Sequence, residues 1–231
     1  MSLSENFKIF QLVYKSRTHL LEMLEDRGYN ISDIKNYTDD EIQIMLQQQN
    51  IGKFEISHDK GPLDILLEKN AGTPQSEKIY VKYRLDNKFK VLSTLTTQIN
   101  DIYEHILNVK DTLIILNISR IITKIGVKEK VDEDYVNHLY ITKNYFVQLF
   151  WLENFLFNVS RHILVPKYKI ISPAEIQTLL TTYNCNTQNL PSIKRDDPQA
   201  KYLGLKPKQV CELLVDNVTS GITKKYRVCE M

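Results

Sequence analysis

Proline and glycine in the last third of this chain fix where the backbone can be helical and where it cannot. In the run HILVPKYKI, from His162 to Ile170, Pro166 lacks an N–H and forces Val165 out of the helical region. The run therefore reads as an extended arm or strand presenting apolar side chains. Ser172-Pro173-Ala174-Glu175 is a capping box with proline at the first helical position, where its missing N–H costs nothing. A helix is predicted from Pro173, with Ile176, Leu179, Leu180 and Tyr183 on one buried face and Asn184 as its stop. Asp197-Pro198 repeats the same start and Gly204 supplies a stop, which predicts a short helix carrying Tyr202 and Leu203. Gln209 to Val215 and Lys225 to Val228 read as two strands joined by a turn around Ser220-Gly221. The tail is a compact α+β module.

A module of that size leaves room for a second domain in 231 residues. The clearest element there is a helix from Glu5 to Arg27, with Ile9, Leu12, Val13, Leu20, Leu21 and Leu24 at helical steps and Gly28 at the stop position. Thr38 and Glu41 form a capping box that opens a second helix through about Gln48. Strands are predicted over Lys53 to Ser57 and Ile79 to Leu85, with a loop from Lys69 to Glu77. Leu95 to Leu107 has helical spacing, and the β-branched run Thr112 to Ile118 suits a buried strand. Asp132 to Leu139 is a further helix, and Val147 to Val159 is strand material leading into the tail. Strand, helix, strand of this kind implies an α/β layer with partly parallel pairing. The boundary falls near Asn158 to Arg161, and without a Gly/Ser linker the connection is short.

Charge narrows the function classes. The formal net charge is +2, so bulk electrostatics do not mark a nucleic-acid binder, and any DNA contact is local. Cys185, Cys211 and Cys229 have no metal-like spacing, and their odd number fits a reducing compartment. Met1 to Phe7 shows no basic leader followed by an apolar stretch. The greasiest segment, Tyr145 to Val165, is too interrupted by polar residues for a span of ~20 apolar residues. A soluble intracellular protein is expected, with no membrane partner.

His162, Leu164 to Lys167, Leu190, Pro191, Asp197, Pro198, Ala200, Tyr202, Gly204 to Lys206, Thr219, Gly221, Tyr226 and Arg227 fall in an order and spacing that resembles one family. It is the fifth subunit of eukaryotic and eukaryote-like DNA-directed RNA polymerases, together with its archaeal counterpart. The first helix adds a second anchor, because THLLEMLEDRGY from Thr18 to Tyr29 resembles the family's first helix. Tyr168, Lys201, Val218, Ile222 and Thr223 depart from the family pattern. With a composition rich in Asn, Ile and Lys, Tyr168, Val218, Ile222 and Thr223 tilt the reading toward a divergent viral or protist version.

The resemblance implies an N-terminal α/β jaw domain over 1–158 with a restriction-endonuclease-like fold, followed by a small α+β assembly domain over 159–231. The assembly domain would dock on the largest polymerase subunit and contact other polymerase subunits. Its interface would draw on His162, Leu164, Val165, Pro166, Lys167, Asp197, Pro198, Tyr202, Leu203, Gly204, Leu205, Lys206, Tyr226 and Arg227. Leu164, Val165, Tyr202, Leu203 and Leu205 are a surplus of apolar side chains for so small a module, although each taken singly serves core packing equally well. The jaw would lie beside downstream duplex DNA. A Thr-Pro-Ser-Ala turn of the family is replaced here by residues after Ile118, where Arg120, Lys124, Lys128 and Lys130 offer phosphate contacts or a solvated basic loop.

A nuclease-like fold raises the question of an active site, which needs an Asp and a later Glu-x-Lys converging on Mg²⁺. Asp64 precedes an apolar run, but Glu68-Lys69 lacks the spacer and Glu77 is followed directly by Lys78. His19, His58, His105, His138 and His162 show no ligand spacing, and Gly52 and Gly61 are isolated. No catalysis, cofactor, metal or small-molecule substrate is expected. The rival readings are a free-standing adaptor using the same assembly module and a degenerate nuclease-like DNA-binding protein. A cellular owner would place the protein in the nucleus, and a viral one in the virion or infected-cell cytoplasm.

Overall fold

The computed structural model describes residues 3–34, 37–48, 60–70, 76–85, 92–118, 129–217, 219 and 221–231. The chain divides into two compact units, Met1–Phe157 and Asn158–Met231. Both are α+β and each is built on its own mixed four-stranded sheet.

In the first unit, helix α1 spans Leu3–Asp26 and buries Ile9, Val13, Leu20 and Leu24 along one stripe. It ends where Gly28 takes φ +87°, and a Cβ there would come within 3.0 Å of Lys69 Nζ. That ammonium donates 2.9 Å to the Arg27 carbonyl at the helix end. Helix α2, Asp39–Gln48, opens on the capping box: the Glu41 N–H donates to Thr38 Oγ1 and the Thr38 N–H to Glu41 Oε2.

The sheet of this unit runs β1 (Ile65–Lys69), β2 (Glu77–Arg84), β3 (Thr112–Asn117) and β4 (Phe146–Trp151) in spatial order β1-β2-β3-β4. Strands β1 and β2 form an antiparallel hairpin, while β2, β3 and β4 pair in parallel. Parallel pairing needs crossovers, and helices α3 (Leu92–His105) and α4 (Glu129–Lys143) supply them. Tyr80, Leu113, Ile115 and Val147 form a core with Leu95, Ile99, Val136 and Leu139 of these helices. On the other face, Gln148 accepts 2.9 Å from Arg27 Nη2 at the end of α1. Every residue of β3 is buried, as a strand covered on both faces requires.

In the second unit the strands are β5 (Lys167–Ile170), β6 (Ser192–Lys194), β7 (Val210–Asn217) and β8 (Gly221–Glu230), in spatial order β5-β7-β8-β6. Strand β7 pairs antiparallel with β5 and β8, and β6 lies parallel to β8. Helix α5, Pro173–Tyr183, has both hydrogen bonds of its Ser172/Glu175 capping box and ends at Asn184 with φ 46°. Helix α6, Pro198–Leu203, begins on Asp197 and ends at Gly204 with φ 69°. Ala200 and Leu205 pack with Ile193, Cys211, Leu213 and Cys229 in the unit's core.

Several expectations are corrected. Residues 162–165 form a turn closed by the Val165 N–H to the His162 carbonyl at 2.9 Å, and the strand begins only at Lys167. Pro166 restricts Val165 but leaves the residues before it free to turn. Strand β1 occupies residues read as an apolar run and the start of a loop, because Leu66-Leu67 do not alternate and pairing with β2 alone makes them extended. Strand β6 is too short to show a period and exists through its register with β8. After β4 the chain closes into a 3-10 turn at Leu152–Phe155 instead of continuing as strand. Tyr183 does not share the buried face of α5; it is exposed, its ring 6.5 Å from that of Tyr226. The strand expected over Lys53 to Ser57 lies outside the described residues.

Candidate functional site

The second unit enters through a pinned turn. The Asn158 side chain accepts 3.0 Å from the Ser160 N–H and donates 3.1 Å through Nδ2 to Tyr202 Oη. Ser160 Oγ donates 2.9 Å to Gln199 Oε1, so both anchors lie on α6. A 3-10 turn, Val159–Arg161, follows, and the Leu164 N–H then donates 3.2 Å to His162 Nδ1. Two of these bonds tie side chains of the turn to α6, and two close backbone N–H groups within it. The result lifts Ile163 to 93% exposure and Leu164 to 83%, more than any other large apolar side chain among the described residues.

The candidate interface residues separate by what they touch. Asp197 caps α6 by accepting from the Gln199 and Ala200 N–H groups, Gly204 ends it in the left-handed conformation, and Leu205 is 1% exposed inside the core. Tyr202 is half-buried and holds the turn through Asn158. Val165, Pro166, Leu203 and Lys206 are half-buried, and the Lys206 N–H donates to Gln209 Oε1. His162, Lys167, Pro198 and Arg227 are exposed. Tyr226 and Arg227 are consecutive on β8, so their side chains take opposite faces of the sheet. Tyr226 reaches Glu212 Oε2 at 3.1 Å beside α5, and burial followed by that carboxylate raises its phenol. Arg227 pairs in register with Cys211, on the core side. Tyr168 is half-buried on that side too, its phenol raised by burial and then by Asp197.

The structure thus ties the turn that leads into His162 to α6 through Asn158 and Ser160, and leaves Tyr226 on the other face of the sheet. Ile163 was not singled out from sequence, and its signal was available: a β-branched aliphatic beside a leucine, two residues before the Val165-Pro166 break. Of the basic residues, Arg120, Lys124 and Lys128 lie outside the described residues, as does Val218, and Lys130 falls in the first turn of α4.

Titratable groups elsewhere are taken up by packing. Cys211 and Cys229 are buried free thiols, each pushed up to about 11 by burial, which removes the reactive thiolate. Asp111 is buried and accepts from the Lys78 and Asn108 N–H groups at 2.8 and 2.7 Å. Asp64 is buried likewise, and its Oδ2 lies 3.5 Å from Lys82 Nζ, a lysine that belongs to no Glu-x-Lys pattern. Among the described residues, no group of three or more His, Cys, Asp or Glu side chains is placed to hold a metal ion. No helix among them is long and apolar enough to cross a membrane.

The family model for RNA polymerase Rpb5, C-terminal domain, matches residues 157–229. Subunit Rpo5 of the DNA-directed RNA polymerase of Pyrococcus abyssi is 40% identical over 72 residues, which cover 31% of this chain and 88% of that protein. The chain belongs to the Rpo5/Rpb5 family. Its Rpo5 relative from Methanocaldococcus jannaschii is 37% identical over 70 residues, covering 30% of this chain and 90% of that protein. Subunit 5B of the DNA-directed RNA polymerases IV and V of Arabidopsis thaliana is 26% identical over 216 residues, covering 93% of this chain and 88% of that protein. An Rpo5/Rpb5 chain is a small non-catalytic subunit of DNA-directed RNA polymerase, and this chain is one. The pinned turn and the α6 cap lie inside the matched segment.

Proposed function

We propose that the second unit is the assembly module, docking on the largest polymerase subunit, and that the first unit is a nuclease-like jaw beside downstream duplex DNA. The single observation carrying the docking reading is the pair Ile163 and Leu164, held nearly fully exposed on a segment fixed by seven hydrogen bonds from Asn158 to Val165. Loose chain can hide apolar side chains by collapse; a pinned turn cannot. Such a pair is suited to enter a pocket as a buried aliphatic anchor. His162, Lys167, Pro198 and Arg227 are exposed for the rim of the contact, and Tyr202 with Gln199 positions the anchor.

For the jaw, the antiparallel hairpin β1-β2 leading into parallel strands with crossover helices supports a nuclease-like reading. Arg120, Lys124, Lys128 and Lys130 follow β3 in the chain and would hold phosphates without reading sequence. The protein works where its polymerase works: the nucleus for a cellular enzyme, the virion or infected-cell cytoplasm for a viral one.

Purification of the tagged chain from its native source tests the reading. An apolar anchor predicts that the large polymerase subunits stay with it at about 1 M salt, where the Debye length falls to ~3 Å. Recovery of only the free 27.1 kDa chain would overturn it. Changing the four basic residues to Ala and finding unaltered protection of downstream DNA by the assembled polymerase would overturn the jaw contact alone.

A further inference from the structure

Strands β1 and β2 pair with Ile65 opposite Val81, so one further step of that register sets Asp64 opposite Lys82. Tyr80 lies two residues before Lys82 and shares its face. The Asp64 carboxylate is saturated: Oδ2 accepts from Tyr80 Oη at 2.8 Å and from the Gly61 N–H at 2.9 Å, and Oδ1 accepts from the Tyr83 N–H at 2.9 Å. Lys82 Nζ stands 3.5 Å from Oδ2 and 6.0 Å over the Tyr80 ring. Burial and the neighbouring Asp64 both raise the Tyr80 phenol far above its ordinary range, which keeps it a donor.

A nuclease-type cation centre needs a second carboxylate at the position two before the lysine, and here that position is Tyr80. One carboxylate whose lone pairs already face an O–H, two N–H groups and an ammonium does not fit a divalent cation. We infer that Asp64, Tyr80 and Lys82 are the frame of such a centre closed into an internal lock. In it the tyrosine hydroxyl and the lysine ammonium do the neutralising that a cation would do. This rests on the nuclease-like reading of the first unit. It has a directional consequence: restoring a carboxylate at position 80, or replacing the ammonium at position 82 by one, recruits a divalent cation to Asp64.

The full chain is compared in EDTA and in millimolar Mn²⁺ as wild type, Tyr80→Glu, Lys82→Glu, and each of these with Asp64→Asn. Thermal unfolding and Mn²⁺ titration calorimetry are the readouts. The wild-type Tm is expected to be the same in both media. At least one of the two carboxylate variants is expected to gain a single Mn²⁺ site and a rise of about 5 °C or more, lost when Asp64→Asn is added. Lys82 is partly exposed, so Lys82→Glu tests the same site without placing a charge in the core at Tyr80. Where a variant fails to fold in EDTA, its refolding yield in Mn²⁺ against EDTA takes the place of Tm. Manganese-independence of both variants, a response that survives Asp64→Asn, or a wild-type response would each overturn the inference. None of these outcomes bears on copurification of the wild-type chain with polymerase or on downstream-DNA protection by the assembled enzyme, so this inference fails separately from the docking and the jaw contact.

Discussion

The first unit turns polar side chains inward, and the second turns its most exposed aliphatic pair outward. Asp64 and Asp111 sit in the first unit's interior, where each accepts from backbone N–H groups of two separate segments. They act as fixed joints that replace missing ladder partners. In the second unit, the hydrogen bonds at the entry turn do the opposite work, fixing a surface loop so that Ile163 and Leu164 remain in solvent. Internal joints serve the unit that holds them. An exposed pair on a rigid mount serves something else.

The largest effect expected on this contrast comes from Asp64→Ala. It removes the acceptor for two N–H groups and a tyrosine hydroxyl and strands the Lys82 ammonium beside an apolar gap. Leaving such donors unpaired costs about 3–5 kcal/mol. Trp151, the single tryptophan, is buried at the end of β4 in the same unit, so its fluorescence in a urea titration reads the loss directly. An unmoved Trp151 transition would show that the joint is dispensable and would break the contrast from the first unit's side.

Next in size is Leu205→Ala in the second unit. Leu205 packs with Ala200, Cys211 and Leu213, and truncation leaves a cavity worth about 2–4 kcal/mol. A fall in stability by circular dichroism is expected. Should binding to polymerase be lost with no fall in stability, Leu205 would belong to the partner surface and not to the core.

These two sites also show what was legible in the chain. Leu205 stands one residue after Gly204, and the sequence marks the helix end there through Asp197-Pro198 and the glycine. Caps at Thr38, Ser172 and Asp197 and stops at Gly28, Asn184 and Gly204 were readable for the same reason. Each is a local backbone requirement that one or two residue types satisfy. Lys82 was not readable as the partner of Asp64, since only the β1-β2 register brings them together, and β1 itself carries no alternating pattern. The entry turn was misread as extended because Pro166 constrains its predecessor alone, and the bonds that bend 162–165 include one made by a histidine side chain. Long-range pairing and side-chain-to-backbone bonds leave little trace in local pattern.

A smaller and pH-dependent effect is expected at the α5 cap. The Ser172 N–H and hydroxyl, then Lys169, hold the Glu175 carboxyl below its usual range. A depressed carboxylate contributes stability above its unfolded pKa and loses it as pH falls through the folded one. Wild type should therefore exceed Glu175→Gln in Tm at neutral pH, and the gap should close as pH falls through the lowered pKa of the folded carboxyl. A gap that stays constant with pH would mean the cap works through its geometry alone, without the charge.

The smallest change in stability is expected at the most consequential position. Replacing Ile163 and Leu164 together by Ser leaves the anchors at Asn158, Ser160 and Tyr202 in place and removes only side chains that already face solvent. Stability should stay within about 0.5 kcal/mol of wild type. Polymerase association should weaken sharply and mainly through faster dissociation, because truncating a buried anchor acts on the bound state. If stability instead fell as far as it does for Leu205→Ala, the turn would be packing against its own unit in solution, and the outward pair would be another inward joint. If stability and association both held, the exposed aliphatics would carry no partner contact, and the docking surface would have to be sought around Tyr168 and Arg227 on the open part of the sheet. Only loss of association at unchanged stability keeps the two units distinct, one joined to itself and one built to be joined.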